Sequence, residues 1–170
     1  GKSSNPADTL PAKSSREAHR TGKISPVSFE TSSSCKICHE NIYNQFKESM
    51  HAKSFSNPLF RKTYFDILLK RYAEDESLAG EMEGCIACHS PVTSTRTGGK
   101  IFLYNEVDPA SSGVECDLCH RIRGYRGAEA GGGNYIAEPG ARKFGPFQRE
   151  NDWHHAYAEL QTKSEVCAIC

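Results

Sequence analysis

A mainly helical chain with much irregular coil and little β-structure is what this sequence predicts, and three observations carry that expectation. Only 37% of the 170 residues are hydrophobic and the mean hydropathy is −0.60, which is thin for a side-chain core. Four C-x-x-C pairs (Cys35/Cys38, Cys85/Cys88, Cys116/Cys119 and Cys167/Cys170) use all eight cysteines. Apolar residues between positions 40 and 72 recur at helical spacing, whereas serine, proline and glycine punctuate much of the remainder.

Three of the pairs run straight into a histidine, His39, His89 and His120, giving CKICH, CIACH and CDLCH. C-x-x-C-H is the attachment signature of c-type haem: two thiols form thioethers with the porphyrin, and the adjoining imidazole binds the iron. Zinc sites and redox dithiols also use C-x-x-C, but neither gives a reason for histidine to follow three pairs in succession. A disulfide framework would not repeat a fixed two-residue gap four times. The sequence therefore predicts a small multihaem protein, its polypeptide wrapped around about four haem c groups that replace a deep core. The fourth pair, CAIC, reaches Cys170 without a following histidine. It reads as a motif cut short by at least one residue, or as a haem completed from elsewhere.

The elements follow in chain order. Residues 1–34 are rich in serine, contain Pro6, Pro11 and Pro26, and read as an extended arm carrying His19. They lack the apolar stretch of a signal peptide, so Gly1 reads as lying in a processed or trimmed chain. From Glu40 to Phe55 the pattern is helical, with Ile42, Phe46 and Met50 on one stripe and His51 near its end. Asn57-Pro58 reads as an N-cap followed by a proline at the first helical position. The helix it opens should run to about Tyr72, with Phe60, Tyr64, Leu68 and Tyr72 on one side. Ile101–Tyr104 suggests a short hairpin. Residues 121–150 hold seven of the fourteen glycines and read as a loop. A last helix is expected from about Asn151 to Lys163, bearing His154 and His155. The shorter gap between motifs two and three points to neighbouring haems there. Domain organisation is thus an arm, 1–34, and a tetrahaem cytochrome c domain, 35–170.

A motif histidine fills one side of an iron, and the other side needs a ligand or stays open. Methionine is scarce: Met50 fits the apolar stripe, and Met82 is the other. Four histidines lie outside the motifs, His19, His51, His154 and His155, and they match four haems in number. Adjacent residues point to different faces, so His154 and His155 could serve two haems. Arg121, Arg123 and Tyr125, after the third motif, are candidate acid–base groups of a catalytic haem and suit propionate pairing or packing equally well. Bis-histidine haems would be low in potential and closed to substrate.

The stretch from CKICHENIYNQFKESMHAKSF, through GCIACHSPVT and SSGVECDLCH, to KFGPFQ and HHAYAELQTKSEVCAIC resembles a family of multihaem c-type cytochromes. That group includes the tetrahaem electron acceptor of hydroxylamine oxidoreductase, octahaem oxidoreductases, and tetrahaem cytochromes that polymerise into extracellular filaments. The resemblance implies that Ser49-Met50-His51 supplies an axial ligand to another haem. Cys88-His89-Ser90-Pro91 and Val114-Glu115-Cys116 are also family-like. Two departures stand out: the missing histidine after Cys170, and Gln161 where relatives often carry a histidine.

Together these readings predict electron transfer through closely spaced haems by a periplasmic or extracellular carrier or filament subunit. The alternative is part of an octahaem nitrite-, hydroxylamine- or tetrathionate-type oxidoreductase with one five-coordinate haem. Expected partners are redox proteins or another copy of the chain. The formal charge is zero, from 21 basic and 21 acidic residues, and haem propionates would shift it by about −4 oxidised and −8 reduced. Nucleic-acid binding gains nothing from that balance, and no apolar run is long enough to span a membrane.

Overall fold

Asn57 sets the first well-defined helical boundary by the chemistry its sequence announces. In the computed structural model, which describes residues 29–148 and 154–170, its side-chain oxygen accepts from the backbone N–H groups of Leu59 and Phe60, with Pro58 at the first helical position. The helical rod it opens is continuous but not uniform. An α-helical start, Pro58–Arg61, widens into a π turn, Lys62–Leu68, and returns to α geometry over Leu69–Glu74. The stripe expected on this rod faces the core: Phe60 and Tyr64 are buried, and Leu68 and Tyr72 pack beside them. With Phe55, Met82, Ile86, Ile101 and Val107 they make one apolar cluster. Each large side chain buried there contributes about 1.5–3 kcal/mol. The Tyr64 hydroxyl meets no water and donates to the Ile101 carbonyl at 3.1 Å. Burial pushes its pKa up to about 12.

The helix around the first motif differs from expectation. We call it α1, Ser32–Phe46, and it begins before Cys35 and stops at Phe46; a kink at His39 breaks it. Residues 47–56 are turns, so His51 and Met50 lie outside regular helix, and Met50 is 64% exposed and not packed. Helices α2, Ala79–His89, and α3, Pro91–Thr97, carry and follow the second motif. The third motif forms the short α4, Cys116–Cys119, and the fourth lies on α5, Glu165–Ala168.

Three other expectations are corrected. Residues 101–104 pair with no strand; the Glu106 carboxylate accepts from the N–H groups of Phe102 and Leu103 and folds them into a turn. The glycine-rich stretch is not simply a loop, for β1, Ile122–Tyr125, and β2, Tyr135–Ala137, form an antiparallel hairpin with the glycines at its tip. The last helix is absent among the described residues: β4, His155–Tyr157, runs parallel to β3, Lys143–Gly145, and a single 3-10 turn, Glu159–Thr162, follows. Tertiary pairing with residues 143–145 overrides the helical pattern there.

The described chain is therefore mainly helical with four short strands and much coil, as the sequence predicts. The arm up to residue 28, and His19 with it, lies outside the described residues. A second cluster joins Phe29, Val92, Leu118, Ile122, Tyr135 and Ile169. It brings Phe29, three residues ahead of α1, together with residues in or beside motifs two, three and four. No helix among the described residues is long and apolar enough to cross a membrane.

Candidate haem-attachment sites

The four motifs, distant in sequence, are held together by backbone and side-chain contacts. At motif three, Glu115 and Asp117 are almost fully buried acids. Glu115 accepts from the Ser32 N–H at 3.0 Å, and the Cys116 N–H donates to Ser32 Oγ at 3.0 Å. Asp117, lying between the two attachment cysteines, accepts from the Glu30 N–H and from Lys143 Nζ at 2.7 and 2.6 Å. Lys143 also reaches Glu30. These contacts fasten the start of α1, and so motif one, onto motif three. A buried carboxylate is tolerated only with this kind of satisfaction.

The hairpin performs the same service for motifs two and four. Gly133 N–H donates to the Ile169 carbonyl inside CAIC at 2.8 Å. A Cβ at Gly133 would lie 2.5 Å from Ala87 Cβ inside CIACH, and φ is +75°. Only glycine fits both constraints. The Tyr135 hydroxyl hydrogen-bonds the carbonyls of Ala87 and Pro91. Motifs two and four touch directly, Cys88 Sγ lying 3.4 Å from the Cys170 carbonyl. Gln161 donates to the carbonyls of Cys119 and Ile122, linking the last segment to motif three.

Two of the motif histidines have a backbone acceptor at one ring nitrogen. His89 Nδ1 donates to the Ser54 carbonyl at 3.0 Å, and His120 Nδ1 donates to the Phe144 carbonyl at 2.8 Å. An acceptor on one ring nitrogen fixes the tautomer and leaves Nε2 with its lone pair for a metal. The His89 ring is steadied further by Phe60, stacked at 4.0 Å and 11°. His39 faces His154 with ring centroids 5.9 Å apart and planes at 86°. Two imidazoles that shared one metal ion, each bound at about 2 Å, would have ring centroids about 6 Å apart. His155 points elsewhere, as adjacent residues at a strand must. Its Nε2 donates to the Phe147 carbonyl at 2.7 Å, and its ring lies against Gly145. His51 is exposed, and its carbonyl accepts from Val114 N–H at 2.9 Å, two residues before Cys116. Gly113 makes this approach possible, since a Cβ there would lie 2.7 Å from the His51 carbonyl oxygen.

Arg121 turns away from open solvent. Its Nε and Nη1 donate to the carbonyls of Glu138 and Arg142, and its guanidinium lies 5.3 Å from the Phe144 ring. Arg123 pairs with Glu138 at 3.1 Å. Both arginines therefore brace the strands after motif three.

The residues fit haem better than the rival uses of C-x-x-C. None of the eight thiols is paired in a disulfide. Among the described residues no three His, Cys, Asp or Glu side chains converge to hold a metal ion. Redox dithiols need a lowered first thiol, whereas burial raises Cys35 and Cys85, the first cysteines of their pairs. Burial also lifts Cys119 to about 12. A hydrogen bond with Cys170 raises Cys88 and lowers Cys170 to about 7. Around motif one the apolar side chains face outward, Ile37 at 87% and Ile42 at 63% exposure. A flat apolar group tethered at Cys35 and Cys38 is what such side chains would cover.

Fold and sites thus define a multihaem c-type cytochrome. Residues 34–121 match the family model for cytochrome c554 and c-prime, and the chain belongs to that family. It is also similar to the crystal structure of a penta-haem cytochrome c552 from Thermochromatium tepidum, with a TM-score of 0.59 and 25% identity. The match covers 85% of this chain and 46% of that one, so the chain spans about half the length of this structural relative. No curated protein matches the sequence. Haem c is the cofactor of this family, and electron transport is its associated chemistry.

Proposed function

We propose that the chain relays single electrons through four covalently attached haems, at least two of them closed by two histidines. The observation that carries this reading is the facing pair His39 and His154, 5.9 Å apart, formed by residues on opposite sides of the sequence. His39 and His154 serve the first haem on this reading. His51, tied to motif three through Val114, serves the third. His89 and His120 are proximal ligands held by the Ser54 and Phe144 carbonyls. His155 braces the strand, and the eight cysteines, Cys35 to Cys170, form the thioethers. When bound, haem supplies a reversible one-electron couple. The protein sets its potential by ligation, burial and nearby charge. The chain's own residues orient imidazoles, hold their tautomers and bury the acids that bind one motif to the next.

A protein of this kind works in the periplasm or outside the cell, passing electrons to a redox partner or along a filament of its own copies. Low-temperature EPR of the oxidised protein tests the relay. Low-spin ferric signals alone support it, and a high-spin signal would favour the oxidoreductase alternative with its five-coordinate haem. Intact mass should show four haem additions; three would leave CAIC empty. Ligation of any haem by a histidine from a neighbouring copy would support the filament, and wholly intrachain ligation would remove it.

A further inference from the structure

A cleft of about 490 Å³ lies between the π turn and residues 102–104, and none of its lining belongs to a C-x-x-C-H motif. Its volume lies within the range of small-molecule sites. Its walls are aromatic and basic: Phe65, Phe102 and Tyr104 supply rings, and Arg61 and Lys62 supply charge against the single carboxylate of Asp66. The rings are accessible, Phe102 at 47% and Tyr104 at 39% exposure. The Arg61 guanidinium sits 3.9 Å from the centroid of Tyr104, so a cation is already held over an aromatic surface. The lining residues Lys62, Phe65 and Asp66 come from the π turn, a distortion frequent at functional sites.

The cleft is also in line with the second attachment site. Tyr104 stacks on Phe55 at 5.1 Å and 14°, Phe55 meets Phe60 at 5.8 Å, and Phe60 stacks on His89 at 4.0 Å. Four rings in contact thus run from the wall of the cleft to a haem ligand.

We propose that this cleft binds a planar aromatic anion of two or three fused rings, the chemical class of quinone and flavin electron shuttles. The rings of Phe65 and Phe102 would flank its plane, and Arg61 and Lys62 would take its negative groups. This site rests on the electron-relay reading for its purpose but not for its chemistry.

The test is calorimetric titration of the haem-loaded full chain with anthraquinone disulfonate. Saturable one-to-one binding that weakens with added salt is expected. Arg61→Gln and Phe102→Ala should each weaken it by about tenfold. Both are surface changes that spare the fold, and Lys70→Gln, outside the cleft, should leave affinity unchanged. A neutral hydroxymethyl anthraquinone should bind more weakly than the disulfonate. Non-saturating uptake, or equal affinity in the parent, Arg61→Gln and Phe102→Ala proteins, would overturn the site. Low-spin EPR signals with no binding would sink the cleft and leave the relay standing; binding with high-spin signals would do the reverse.

Discussion

Gly113→Ala isolates one close approach on which the third site depends. The added Cβ would stand 2.5 Å from the Ala52 carbonyl oxygen, 2.7 Å from that of His51 and 2.9 Å from the Ala52 carbonyl carbon. All three are backbone atoms and cannot swing aside as a side chain would. The segment must separate, which strains or breaks the Val114 N–H to His51 carbonyl bond of 2.9 Å. Overpacking of this kind costs about 1–3 kcal/mol, and a lost hydrogen bond adds about 0.5–1.5. A total near 3 kcal/mol should lower Tm by about 6–12 °C in a chain of this size. Gly80→Ala is the matched control, because nothing lies within 4 Å of its Cβ position in α2. Relief of chain entropy there should raise stability by about 0.5 kcal/mol. Thermal melts followed by circular dichroism measure both. Displacement of His51 should also add a high-spin ferric EPR component. Melting of Gly113→Ala within about 2 °C of the parent, with unchanged EPR, would refute the claim that this contact positions His51.

Asp117→Ala should destabilise by about 1–3 kcal/mol, because it leaves the Glu30 N–H without its acceptor and Lys143 with only Glu30 and the Gly140 carbonyl; chemical denaturation reads the change in midpoint. Raising pH should weaken the fold between about 10 and 12. Tyr64 keeps its proton in the folded state up to about 12 and loses it near 10 when unfolded, so its contribution is intact below 10 and gone above 12. Tyr64→Phe should make that part of a pH–stability curve shallower, with Tyr135, also pushed up by burial, supplying the rest of the slope. His154→Gly should convert one low-spin haem to high-spin without changing the haem count by mass, whereas His155→Gly should leave the spin state alone.

How much was legible follows the kind of chemistry involved. Covalent attachment demands fixed spacing, so Cys35 to Cys170 and the three motif histidines stand out in the sequence. Asn57-Pro58 was equally readable, since capping is local. The strand at His155–Tyr157 was not, because its stability comes from Lys143–Gly145 and not from its own pattern. The same holds for the acceptors behind His89 and His120: Ser54 and Phe144 act through carbonyls that every residue possesses. The buried acids were missed although a signal existed, an aspartate enclosed between two attachment cysteines in CDLCH. The glycines of 127–133 announced a turn but not the two strands flanking it, which are short and mixed in polarity.

The Gly133 contact with Ile169 and Ala87 bears on the order in which the molecule is completed. The hairpin tip needs residue 169 as a partner, yet it closes over a motif whose cysteines emerge some eighty residues earlier. Until residue 169 is in place, the second motif would remain uncovered on this side. Haem attachment at that motif would thus have an extended interval, and the tip would lock down only once the segment bearing the fourth motif is in place.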